Sequence, residues 1–247
     1  MITIKQTMTH SKYYVLDGCS TGWLSGSLSN NTFSLNYLET LQDLPNSKKT
    51  TYYIDIPICL PTDISHYPRK EDQVAKKKLS HFHSSIFYAP LSEWLTYSYH
   101  DINLECDYHR KPKISKQSFH LFSKISEAQD ILKTHNNSIQ EIHPELIIHH
   151  FLGTSKQSKK TLDGIQQRLH LIHDLTHIQL SINDLQNTLN SLKSNYPKSV
   201  VKLDDLIDVL SICSVIKAYP EITKPSTNRN IQKETELNER FNIFKPC

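Results

Sequence analysis

The stretch "YYVLDGCSTGWL", residues 13–24, sets four strand-forming side chains ahead of an aspartate, Asp17, and then places Gly18 and Gly22 within five residues. Aromatic and β-branched residues in a row suit pleated, half-buried backbone, and glycines next to Ser20 and Thr21 mark a turn. Reading outward, "GWLSGSL", the turn "NNT" and "FSLNYL" continue the alternation of apolar and polar positions. Residues 12–41 therefore predict three short strands in a β-meander. The segment "TTYYIDIPICLP" (50–61) is again β-branched and aromatic, ends at proline, and reads as a buried central strand.

The rest of the chain alternates helical and extended patterns. Residues 69–79, 118–134 and 203–218 predict helices, residues 84–90 a loop returning over the sheet, and residues 138–151 a last strand interrupted by Pro144. Gln166 to Asn195 contains neither glycine nor proline, and Leu171, Leu175, Ile178, Ile182, Leu185, Leu189 and Leu192 alternate by four and three. That heptad stripe predicts one long amphipathic helix, packed on its own domain or pairing two copies in a homodimer through residues 166–195. Strands followed by alternating helices and strands give an α/β class, with residues 1–219 as one domain and 220–247 as a polar tail or arm.

A chain of 247 residues can bury a large core, and 37% hydrophobic content with no apolar run of bilayer length predicts a soluble protein without membrane association. The opening "MITIKQTMTH" lacks the apolar stretch of a secretory signal, which leads to the expectation of a cytoplasmic protein. Five scattered cysteines show no paired spacing and are expected to be reduced thiols. A formal charge of +3 does not by itself demand a polyanionic partner. Its unevenness matters more, because "RKEDQVAKKK" (69–78) and "SKQSKK" (155–160) are basic whereas "LDDLID" (203–208) is acidic.

The acids form the sharpest pattern. An apolar β-run delivers one aspartate twice, Asp17 in "YYVLD" and Asp55 in "YYIDIP", so adjacent strands would bring both to one rim of the sheet. Asp205 and Asp208 are three apart and project from nearly the same face of a helix, with Asp204 turned elsewhere. Two carboxylates about 5 Å apart repel by roughly 3 kcal/mol at an effective dielectric near 20, so a cation must offset them. Hard oxygen ligands suit Mg²⁺ or Mn²⁺, and two such ions about 4 Å apart can hydrolyse a phosphodiester. The plainer alternative makes Asp17 a turn residue, Asp55 a strand-end acceptor, and the pair at 204–205 a helix cap.

In order along the chain, "LDGCSTGWL", "DIPICLP", "RKEDQVAKKKL", "SSIFYAP", "SKQSFHLFSKISE", "EIHPEL", "SKKTLDGIQQRL" and "DDLIDVL" closely resemble the uncharacterised family DUF429, over roughly residues 13–218. Its members are regarded as predicted nucleases of the ribonuclease H-like superfamily. The resemblance implies a mixed five-stranded sheet flanked by helices, with Asp17, Asp55, Asp205 and Asp208 as metal-binding catalytic carboxylates. It also brings in Glu141, His143 and Glu145 from "EIHPEL", either glutamate reaching the metal rim or orienting His143 as a proton shuttle. Lys159, Lys160 and Arg168 are implied as phosphate contacts. Arg69 and Asp72 match a further motif, whose plain reading is a surface ion pair. Cys59 stands where the family usually has glycine, and "LSHFH" (79–83) lacks the glycine and arginine that generally precede "SS".

Three functional classes follow. The first is a Mg²⁺- or Mn²⁺-dependent nuclease acting on a nucleic acid. The second is a catalytically silent ribonuclease H-like binding or regulatory protein that meets a partner through its long helix. The third, an actin-like ATP-binding enzyme, needs a late glycine-rich adenosine contact, and this chain has five glycines with none after Gly164. His170, His173 and His177 share a helix face and could hold zinc, though a solvated face explains them as well.

Overall fold

A computed structural model describes residues 1–6, 8, 11–134 and 138–220. Among them six strands form one mixed sheet, namely β1 (Ile2–Ile4), β2 (Tyr13–Cys19), β3 (Gly22–Ser29), β4 (Thr32–Leu38), β5 (Thr51–Ile54) and β6 (Ser138–Glu141). The spatial order is β1-β4-β3-β2-β5-β6. The meander of β2, β3 and β4 is antiparallel, as its short turns require, whereas β5 and β6 join in parallel on the other side of β2. The sixth strand, β1, corrects the five-stranded expectation. Its "ITI" pairs in parallel with the edge strand β4, where a short half-buried strand finds unpaired backbone groups.

Among the described residues eight α-helices accompany the sheet: α1 (Lys70–Leu79), α2 (Tyr99–Tyr108), α3 (Lys116–His120), α4 (Phe122–Thr134), α5 (Pro144–Leu152), α6 (Leu162–Thr176), α7 (Ile182–Asn195) and α8 (Leu203–Ala218). Alternation along the strands sorts their side chains between two cores. Tyr14, Leu16, Tyr52 and Ile54 pack with Ile102, Phe122, Ile125 and Ile131 from α2 and α4. Val15, Leu24, Tyr53 and Leu35 pack against α6, α7 and α8 on the opposite face. None of these helices is long and apolar enough to cross a membrane.

Two expectations fail for identifiable reasons. The stripe from 166 to 195 is not one helix, because α6 ends at His177 in a left-handed conformation (φ 59°) and α7 starts anew at Ser181. Ser181 accepts from the Asp184 backbone N–H while the Asp184 carboxylate accepts from the Ser181 N–H, a reciprocal cap that makes restarting favourable. Leu171, Ile178, Leu185 and Leu192 of the stripe are buried within the chain itself. Likewise the strand expected over 138–151 stops at Glu141, and Pro144 opens α5 instead of interrupting a strand. Proline's missing N–H costs nothing at the first helical position, and its fixed φ suits that place.

The sequence reading does not include helix α2, whose buried residues are only Ile102 and Cys106. Cys19, Cys106 and Cys213 are buried free thiols, whereas Cys59 is disulfide-bonded, against the expectation that every cysteine is reduced. The tail expected beyond residue 220 lies outside the described residues.

Candidate metal centre

Strand register builds the first half of the site. β2 and β5 are parallel with Leu16 opposite Ile54, and the Asp55 N–H donates to Leu16 O at 3.1 Å. Asp17 and Asp55 are the next residues along, two positions beyond Val15 and Tyr53, which face α8. Period-two alternation therefore aims both carboxylates toward α8.

Close packing supplies the second half. Helix α8 lies on β2 and β3, and at Gly26 it comes so near that a Cβ there would sit 2.3 Å from Val209 Cγ1. That approach seats Asp208, with only 2% of its surface exposed, against the strand aspartates. Asp17, Asp55 and Asp208 each offer an oxygen within 4.8 Å of the others, the one group of this kind among the described residues. His170, His173 and His177 form no such group; all three are exposed.

The fourth expected aspartate is placed differently. Asp205 accepts the Lys202 N–H at 2.9 Å and closes the cap of α8, as the plainer reading had it. It still adds to the negative potential at Asp17. Asp204, expected to turn away, lines the cavity in front of the carboxylates, because the start of α8 directs it and Asp208, four residues apart, to that side.

That cavity measures about 610 Å³, and its lining includes His143, Lys159 and Lys160 along with the aspartates. Ser84, Ser85 and Ser158 add hydroxyls, and Phe82 and Phe87 add rings. Burial, reinforced by Asp55, Asp205 and Asp208, holds the Asp17 carboxyl well above the usual carboxylate range. Burial and the nearby Asp208 push Asp55 up to about 8, with Lys159 opposing them. Asp208 rises only to about 6, since its burial is countered by Lys159, which ion-pairs directly with Asp208 Oδ2. Its other oxygen, Oδ1, is buried and has no hydrogen-bond partner among the described residues.

Three buried or half-buried carboxylates with raised proton affinity and one orphaned oxygen match the donor chemistry of a hard divalent cation. Asp17, Asp55 and Asp208 are the residues that could hold such an ion.

The glutamates are engaged elsewhere. Glu141 accepts from Arg69 at 2.7 and 2.9 Å and from the Ile58 N–H at 2.9 Å. Arg69 also bonds Asp72 at 2.6 Å, and Asp72 accepts the Ala89 N–H at 2.9 Å. Arg69 and Asp72 are buried, so the surface ion pair expected there is instead a core link between α1, β6 and the returning loop. Glu145 is paired with Lys156 and with Arg168 at 3.0 Å. Burial opposes its ionisation, yet Arg168 and Lys156 together hold it below the usual carboxylate range.

Arg168 is fully buried and also donates to Gly164 O and Gln157 O, so the structure directs it to Glu145 and the 157–164 loop rather than to the cavity. His143 Nε2 lies 3.2 Å from Ser85 O, a carbonyl, which makes Nε2 the protonated nitrogen of a neutral ring. Nδ1 is then an acceptor, buried and without a partner among the described residues, and burial brings the imidazole down to about 4. Lys156, Arg69 and Asp72 are the supporting residues that sequence reading undervalued. Nothing in a basic run distinguishes the one lysine that becomes fully buried.

Residues 16–219 match the family described as "Protein of unknown function (DUF429)", and the chain belongs to that family. No curated protein and no solved structure matches the chain at a significant level.

Proposed function

We propose that this member of the DUF429 family is a nuclease that hydrolyses phosphodiester bonds with a divalent ion, Mg²⁺ or Mn²⁺, held by Asp17, Asp55 and Asp208, on a sheet of the ribonuclease H-like kind. The observation that carries this reading is the convergence of three carboxylate oxygens within 4.8 Å at a cavity whose rim bears lysines and serine hydroxyls. When bound, the ion would polarise a phosphoryl oxygen and lower the pKa of a water.

The chain's own residues account for the remaining demands. Lys160 is exposed at the cavity rim, where an ammonium can engage a phosphate without prior desolvation. The hydroxyls of Ser84 and Ser158 can donate to phosphate oxygens on the same rim. His143 is neutral at physiological pH, so its bare Nδ1 serves as a hydrogen-bond acceptor that orients a water or a sugar hydroxyl. Lys156, Arg168 and Arg69 act as positioning residues, since they hold Glu145 and Glu141 beside the aspartates in one arrangement.

The test is cleavage of labelled single- and double-stranded DNA and RNA with Mg²⁺ or Mn²⁺, comparing the natural protein with Asp17→Asn and Asp208→Asn. Cleavage that both variants lose supports the reading. A protein that cuts none of these substrates and binds neither ion sinks it.

A further inference from the structure

Resting on the metal-site reading above, the ligand inventory around Asp208 limits how many ions the site can take. In a two-ion centre one carboxylate usually bridges the ions, and each ion takes further carboxylates together with waters and phosphate oxygens. Here one oxygen of Asp205, Oδ2, accepts the Lys202 N–H. Both oxygens of Glu141 accept from Arg69, and both oxygens of Glu145 accept from cations. One oxygen of Asp208 is already taken by Lys159. The oxygens that converge are those of Asp17, Asp55 and Asp208, the last with its Oδ1 orphaned, while Asp204 lines the same cavity.

Lys159 is held there from several sides. Its neighbour Lys156 is wholly buried, pairs with Glu145 and lies 3.7 Å from the Phe82 ring centroid. Ser158 is locked against α6, where a Cβ on Gly164 would meet Ser158 O at 1.9 Å. The Lys159 side chain is 23% exposed and pairs with Asp208, and the charges of Asp17 and Asp55 act on it as well. Three ionised carboxylates and this ammonium leave a residual charge of minus two, which one divalent ion neutralises.

We infer that Lys159 is a built-in cation standing in for a second metal, so that the three aspartates bind one divalent ion and the centre works as one ion plus one lysine. The lysine's fixed charge then offsets the charge that a second ion would otherwise stabilise on the phosphoryl group.

The experiment is calorimetric titration of Mn²⁺ into the full-length protein and into Lys159→Gln and Lys159→Arg, with Mn²⁺ electron paramagnetic resonance to detect spin-coupled ion pairs. The expected result is one ion for the natural protein and for Lys159→Arg, and two ions, spin-coupled, for Lys159→Gln. Two ions in the natural protein, or one in Lys159→Gln, overturns the inference while leaving the metal site standing. No Mn²⁺ bound by any of the three proteins, with each shown folded by circular dichroism, removes the metal-site reading itself and the inference with it.

Discussion

Asp17 and Asp55 are side-by-side neighbours across a parallel strand pair, joined by the bond from the Asp55 N–H to Leu16 O, and both face the helix that carries Asp208. Neither can move away from the other without breaking strand register. Backbone pairing thus holds like charges together, and the site stores repulsion that a proton, Lys159 or a metal ion relieves.

That repulsion has a definite pH signature. The folded-state pKa values of Asp55 and Asp208, about 8 and about 6, lie above the unfolded value near 4, so the folded state binds the extra protons. Their stabilising contribution is complete below about pH 4 and is lost as pH rises through those values. In metal-free buffer, Asp55→Asn should therefore melt at about the natural temperature at pH 4 and at least about 3 °C higher at pH 9. A difference that shrinks with rising pH would contradict the raised pKa.

Gly26 is needed for the close approach of α8, because no side chain fits between β3 and Val209. Gly26→Ala should destabilise by about 1–3 kcal/mol in urea unfolding, as overpacking does. Since the displaced helix carries Asp208, divalent-ion affinity should fall as well. Adding Val209→Ala should recover part of both losses, and strict additivity of the two substitutions would show that this contact is not the cause.

The Asp72–Arg69–Glu141 chain is buried, so removing its cation strands two carboxylates. Arg69→Met should cost about 3–5 kcal/mol by denaturant titration. Introducing Glu141→Gln into that background should be less costly than introducing it alone. Equal costs in the two backgrounds would mean the pair is not coupled.

The break between α6 and α7 depends on a left-handed histidine, a conformation that glycine adopts without a Cβ penalty. His177→Gly should raise stability by about 1 kcal/mol, seen as a rise of about 2–4 °C in Tm. A loss of stability instead would fit an uninterrupted helix through residue 177.

Periodicity made much of the frame legible. Alternating β-branched and aromatic residues marked β2 to β5, and the apolar spacing marked α1 and α8 within a residue of their observed bounds. The repeated motif of an apolar run ending in aspartate pointed to Asp17 and Asp55 as partners, which register then brings together. Pro144 was misread because proline is excluded from a strand interior and welcomed at a helix start by the same missing N–H. The break at His177 was invisible because a non-glycine left-handed cap carries no composition signal.

The sequence by itself determined which segments are strands around Asp17 and Asp55, that acids gather near residues 204–208, and that the chain belongs with DUF429. Tertiary structure alone decided which of those acids remains available. One Asp205 oxygen is spent on a helix cap, Glu141 and Glu145 on buried cations, and one Asp208 oxygen on Lys159. The physical reason is that a carboxylate's partner depends on which donors lie within about 3 Å of its oxygens, and long-range packing sets that distance. Spacing along the chain carries no such information for residues 49 positions apart, as Lys159 and Asp208 are.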